Sequence, residues 1–321
     1  MRQYFLVFVA LFLSMPMESG VRRIGGKEVD PGQSAALFVG VRDFHRRTIA
    51  AVPYAMDDAI DLAYEVAINQ PLPLVPPSRV ALALSDGEPF KKESKKRLEA
   101  LLKAGARRYR ADQVEVLRLI EAQSRRVGRE GILIVSIATH GMSRGGVQHL
   151  LTVGSAVEYA ESAINEATIT DMVSRDNVPR ALILIDACRE RLTRDRRAGV
   201  ADPRSKAAFR GVVNRVEGQA VIFAAAGGGY AYDDDERRNG VFTAAVIDGL
   251  RCEAGKDRHG FITVDTLYNY VSKNVLRWVR ENKNKVARSA TQLSVEGEMR
   301  KMPLAICGVK RKASASSLPH H

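Results

Sequence analysis

The sequence predicts a three-layer α/β sandwich, in which a mostly parallel sheet is covered by helices on both faces. Three observations predict it. Short aliphatic and β-branched runs bounded by glycine, proline or polar residues recur along the chain, as buried parallel strands require. Segments with helical spacing separate them, and that alternation builds a parallel sheet with crossover helices. Two of the runs also end on chemically capable side chains, at the sheet edge where open α/β folds bind their ligands. With 321 residues, 45% of them apolar, the chain has material for a sizeable core. The pattern continues without a break, so one domain over residues 34–308 is the simplest organisation.

In order, Ala35–Val41 reads as the first strand and Asp57–Asn69 as a helix with acidic residues at its start, where the helix dipole favours them. Residues 71–77 carry four prolines and form a loop. Arg79–Leu84 is the second strand. Ser94–Lys103 and Asp112–Val127 are amphipathic helices, and the third strand, from Gly131, ends at Thr139. Val147–Val153 reads as a small hairpin arm and Thr168–Arg175 as a helix leading to the strand Ala181–Ile185. Gln219–Ala225 is another buried strand. Gly240-Val-Phe-Thr243 opens a helix running to Leu250, Thr263–Arg280 is a long helix, and Pro303–Ile306 is a last strand.

Both ends of the chain lie outside the expected domain. A single arginine precedes the apolar run Tyr4–Met15, which is too short to span a bilayer and has the proportions of a secretory signal peptide. Met17 makes a poor cleavage site. The expectation is a signal peptide over residues 1–20 and export to the periplasm or exterior, with a cytoplasmic protein carrying an N-terminal extension as the alternative. Residues 21–33 read as a linker and 309–321 as a disordered basic tail. No stable membrane span is expected.

The formal net charge is +12. Such a balance suits acidic partners, nucleic acid or anionic membranes, but also a basic enzyme with scattered surface charge. No zinc-finger spacing or aromatic-rich single-strand platform is present, so no specific nucleic-acid module is expected. Cys188, Cys252 and Cys307 are too few and too scattered for a disulfide framework or zinc site. Cys252 and Cys307 read as small core residues.

The chemistry lies at two strand ends. Gly131–Thr139 is followed at once by His140-Gly141, and Ala181–Ile185 by Asp186-Ala187-Cys188-Arg189. If these strands are neighbours, an imidazole and a thiol converge, the arrangement that activates a thiolate for acyl transfer. The order, 48 positions apart, resembles the caspase-like cysteine proteases, whose cysteine motif reads Q-A-C with the histidine about 50 residues upstream. This chain departs from it with Asp186 for Gln and Glu190 for the following Gly. His140-Gly141, Met56-Asp57-Asp58-Ala59 and Gly240-Val-Phe-Thr243 also match family segments, and the resemblance covers residues 34–307.

The resemblance implies a caspase-like fold, His140 and Cys188 as the catalytic dyad, and the N–H groups of Gly141 and Cys188 as the oxyanion hole. Asp186, two residues before the cysteine, and Asp58 match the acidic positions of metacaspases and orthocaspases, which cut after arginine or lysine. Polypeptides with basic residues are then the partners. Read alone, Asp186 is a turn residue after a strand and Asp58 a helix-start charge. No cofactor is required. Calcium is the one candidate, because the family often depends on it, with Asp233-Asp234-Asp235-Glu236 as the acidic run that could hold it; the run shows no recognisable ligand spacing and reads otherwise as a solvated loop. Tyr230 and Tyr232 are expected beside the substrate groove. The basic segment 189–210, between two strands, corresponds to the linker that the family often cuts on activation, so self-processing is expected there. Two competing readings stand beside this one: an inactive binding or scaffold protein of the same fold, and a basic membrane-surface or nucleic-acid binder.

Overall fold

The structure is a computed structural model that describes residues 22–24, 27–188, 218–226, 229–283, 291–295 and 297–307. The expected signal peptide, the basic segment 189–210 and the C-terminal tail lie outside the described residues. Ten strands matter here: β1 (Ala35–Gly40), β2 (Val80–Leu84), β3 (Arg107–Arg110), β4 (Leu133–Ala138), β5 (Gly141–Arg144), β6 (Val147–Leu150), β7 (Ile164–Asn165), β8 (Ala181–Asp186), β9 (Gln219–Phe223) and β10 (Gln292–Val295). The helices are α1 (Ala55–Tyr64), α2 (Lys92–Lys103), α3 (Gln113–Ser124), α4 (Glu166–Arg175), α5 (Val241–Asp248) and α6 (Val264–Lys283).

Seven strands form the central sheet in the order β10-β9-β8-β4-β1-β2-β3. All neighbours are parallel except β10, which runs antiparallel along β9 at one edge. The side-chain period of two sorts each strand between two cores. Phe38, Leu82, Ile134, Leu184 and Ile222 pack with α1, α2, α5 and α6 on one face. Leu37, Ala83, Val135, Ile183 and Val221 pack with α3 and α4 on the other. This is the expected three-layer sandwich. Side-chain caps fix two helix starts: Asp112 accepts from Glu115 N–H at 3.0 Å before α3, and Asn165 from Ala167 N–H at 2.9 Å before α4.

The chain winds outward through β1, β2 and β3, then returns to place β4 on the other side of β1. A reversal of this kind opens a crevice at the carboxyl ends of the strands. Into it project the loop after β4, the loop after β8 and the first turn of α1. The three-stranded sheet β5-β6-β7 extends directly from β4 and confirms the hairpin arm.

Four details differ from the sequence reading. Strand β3, Arg-Arg-Tyr-Arg, lacks an apolar run, with Tyr109 alone packing on the core, and was not expected; it is an edge, where charge is tolerated and discourages pairing with other chains. Pro303–Ile306 is a strand but pairs with Phe261–Thr263, outside the central sheet. The end of the expected linker is tied to the domain, since Asp30 N–H donates to the Glu130 carbonyl and Gly128 N–H to that of Gln33, each at 2.8 Å. Finally, Cys252 and Cys307 are not separate core residues but form a disulfide. They lie 55 positions apart, and the pairing of Pro303–Ile306 with Phe261–Thr263 carries Cys307 to the turn that ends α5. Spacing along the chain holds no trace of that approach.

Candidate active site

Strands β4 and β8 are hydrogen-bonded neighbours, in register up to the pair Ala138 and Asp186. His140 and Cys188 each stand two residues beyond that pair. The ladder continues past the strand ends, as Thr139 N–H donates to the Asp186 carbonyl at 3.2 Å. Gly141 then meets the Cys188 backbone so closely that a Cβ there would overlap the Cys188 carbonyl oxygen. Only glycine permits this approach.

His140 is held from behind. Its Nε2 lies 3.0 Å from the Ala50 carbonyl oxygen, and its ring stacks on Phe44 with centroids 5.6 Å apart. A carbonyl only accepts, so Nε2 carries the hydrogen and Nδ1 is left as the basic nitrogen. Burial lowers the His140 pKa, and the bond to Ala50 opposes the shift. Cys188 stands outside the disulfide as a half-buried thiol, and it donates to the Ala231 carbonyl at 3.6 Å. A thiol beside a neutral, oriented imidazole can surrender its proton and attack a carbonyl.

Beside this pair lie two buried carboxylates. Asp186 closes β8, and Asp58 sits in the first turn of α1. Both face Gly240, where a Cβ would lie 2.6 Å from Asp186 Oδ2 and 3.0 Å from Asp58 Oδ2. Asp186 Oδ2 accepts from Thr243 Oγ1 at 2.6 Å and Thr243 N at 3.3 Å. Asp58 accepts from Asn239 Nδ2 at 2.7 Å and from Gly240 N–H at 3.0 and 3.1 Å. Burial pushes Asp58 well above the ordinary carboxylate range, and the charge of Asp186 adds to it. Burial likewise pushes Asp186 up to about 6, against the bonds from Thr243 and with a contribution from Asp233. Buried this close together, the two carboxylates cannot both ionise at low cost.

Several supporting residues escaped the sequence reading. Asp61 on α1 receives Lys91 Nζ at 2.5 Å, Arg97 at 2.9 Å and Ser94 Oγ at 2.8 Å. Burial would raise its pKa, but the charges of Lys91 and Arg97 hold it below the ordinary value. Lys91 also donates to Asn239 Oδ1 at 2.7 Å, so a continuous polar chain braces Asn239 where it grips Asp58. Nothing local in the sequence marks Asn239 or Lys91 for this work. Thr243 lay within a quoted family segment, but its bond to Asp186 did not show.

The run Asp233–Glu236 does not gather round one point. Asp234 accepts from the Glu236 and Arg237 N–H groups at 3.0 and 3.1 Å and from Trp278 Nε1 at 3.1 Å. Asp235 accepts from Tyr54 Oη at 2.9 Å. Among the described residues no three His, Cys, Asp or Glu side chains stand together as a metal site. Asp233 turns towards the site instead. It pairs with Gly240 across a two-residue ribbon, and its carboxyl is raised to about 6 by burial and Asp235, with Lys283 opposing.

The family model of the caspase domain matches residues 105–309 of this chain. Caspase-1 from Spodoptera frugiperda superposes with a TM-score of 0.52 at 15% identity, over 83% of this chain and 87% of that one. A Geobacter sulfurreducens protein superposes at 0.51 with 12% identity, over 85% and 99%. At such identities these two likenesses carry the fold alone. No curated protein matches the chain. The family match spans more than half of the sequence, including the ends of β4 and β8 that bring His140 and Cys188 to one edge; the chain belongs to the caspase-domain family of cysteine-type peptidases.

Proposed function

We propose that this protein is a cysteine endopeptidase of metacaspase type that cleaves after arginine or lysine, with His140 and Cys188 as its catalytic dyad. The observation that carries the reading is the pair of buried carboxylates, Asp58 and Asp186, facing one another over Gly240 beside the dyad. A guanidinium entering between them supplies the charge that lets both ionise, and its planar fork matches a carboxylate with two hydrogen bonds. An acidic side chain there only adds negative charge to a pair that already resists full ionisation.

In this mechanism the Cys188 thiol gives its proton to His140 Nδ1, and the thiolate attacks the carbonyl carbon of the scissile bond. The oxyanion lies against the N–H groups of Gly141 and Cys188. The C–N bond then breaks, and the imidazolium returns the proton to the departing amine. Water, deprotonated by the same imidazole, attacks the thioester and releases the acid and the free thiol.

The disulfide between Cys252 and Cys307 supports export, because such bonds persist in oxidising compartments. Self-processing within 189–210 belongs to the same proposal, since that segment carries the enzyme's preferred residues. The deciding test is turnover of fluorogenic peptides ending in Arg, Lys or Asp by wild type and Cys188→Ala. Cleavage after Arg and Lys, lost in the variant, supports the proposal. Equal cleavage after Asp, or persistence in the variant, overturns it.

A further inference from the structure

Close to the two carboxylates, a lysine of the chain itself lies over a pair of aromatic rings. The segment Tyr230–Asp233 leaves the nucleophile, where the Ala231 carbonyl receives the Cys188 thiol, and reaches Asp233, which pairs with Gly240 over Asp58 and Asp186. Within that segment Tyr232 lies 6.0 Å from Trp278 and 6.2 Å from Tyr230, centroid to centroid. Lys283, exposed at the end of α6, lays its ammonium over two of these rings, 5.3 Å from that of Trp278 and 5.7 Å from that of Tyr232. Its charge also acts on Asp233. Aromatic faces beside a carboxylate form a cage for a cation.

We infer that this aromatic cage is a specificity subsite for a second basic side chain of the substrate, with Lys283 as an internal occupant that the substrate displaces. The inference rests on the proposed cleavage after basic residues and deepens it. Tyr232 directly precedes Asp233, which pairs with Gly240 beside the two carboxylates. His140, which protonates the leaving amine, is held elsewhere, by Phe44 and Ala50. The cage therefore serves the acyl side of the cut. An extended peptide advances about 3.3 Å per residue, so the second basic residue stands one or two positions before the first. The favoured substrates are peptides with paired basic residues.

Two measurements test this. First, kcat/KM is compared for Gly-Ala-Arg and Gly-Lys-Arg fluorogenic amides, and for the spaced Lys-Ala-Arg amide. Lys283→Ala empties the cage and should raise the best two-basic to one-basic ratio about five-fold, a cation–π contribution of about 1 kcal/mol. Lys273→Ala, exposed on the same helix, should leave the ratio as in wild type. Second, Trp278 is the only tryptophan in the chain, so its fluorescence reports on the cage directly. In Cys188→Ala, titration with a two-basic peptide should change the emission, and titration with Gly-Ala-Arg should not. Cleavage of arginine peptides with an unchanged ratio in Lys283→Ala, or an emission that responds alike to all three peptides or to none, overturns the cage and leaves the proposed activity standing. A selective Trp278 response without cleavage of any peptide by wild type overturns the activity and leaves the cage standing.

Discussion

Replacing Asp186 by asparagine should make the protein more stable and less active, with both effects set by one charge. Asp186 is 8% exposed, and its carboxyl is raised from 3.8 to about 6, chiefly by burial. A raised folded-state pKa means that the folded protein binds the proton more tightly than the unfolded chain. The associated stability is present at low pH and is lost as pH rises from about 4 to 6. At about 1.4 kcal/mol per pH unit, the ionised group costs the resting fold about 3 kcal/mol at neutral pH. Asparagine has the same shape, keeps an oxygen for the two Thr243 donors, and offers its amide to Asp58. The variant should therefore gain about 3 kcal/mol at pH 7.5, falling to about 1 kcal/mol at pH 4.5. Denaturant melts at the two pH values measure this. On arginine peptides kcat/KM should drop at least about 30-fold, the loss of one side of a buried charge pair. In wild type, activity should fall as pH drops below about 6, where Asp186 takes up its proton. A stability gain equal at both pH values, or none, would refute the argument that the charge is the cause; full activity in the variant would refute its role in the pocket.

Three further outcomes follow. Cys252→Ala with Cys307→Ala should lose about 4 kcal/mol of stability, the loop-closure entropy for a bond spanning 55 residues; denaturant melts with and without reductant check it, and superposed curves count against it. Gly141→Ala should reduce kcat at least about 100-fold in a folded protein, because the added methyl displaces the Cys188 backbone proposed to form the oxyanion site; circular dichroism beside the kinetics separates this from misfolding. The purified protein should convert into two associated fragments with the new N-terminus within 189–210, while Cys188→Ala stays one chain. Because Cys252 and Cys307 both fall in the second fragment, the fragments should separate in denaturing gels without reductant.

What the sequence determined by itself was everything carried by local pattern. Apolar runs with glycine or proline borders marked five of the seven sheet strands, since a strand buried on both faces must be apolar throughout. The same runs placed His140 and Cys188 at strand ends. Edge strands β3 and β10 lacked that signature because an edge need not be buried. Asp186 and Asp58 read as pocket residues only through family resemblance; local pattern alone made the one a turn residue and the other a charge at a helix start. Only the tertiary structure decided that they share Gly240, because residues 58, 186 and 240 meet through strand order. It likewise decided that Cys252 meets Cys307, that Asn239 is braced by Lys91 and Asp61, and that Lys283 rests on Tyr232. The physical reason is the same throughout: periodicity records how a residue meets its own element, whereas these contacts join residues 30 to 182 positions apart, at distances that the sheet topology alone sets.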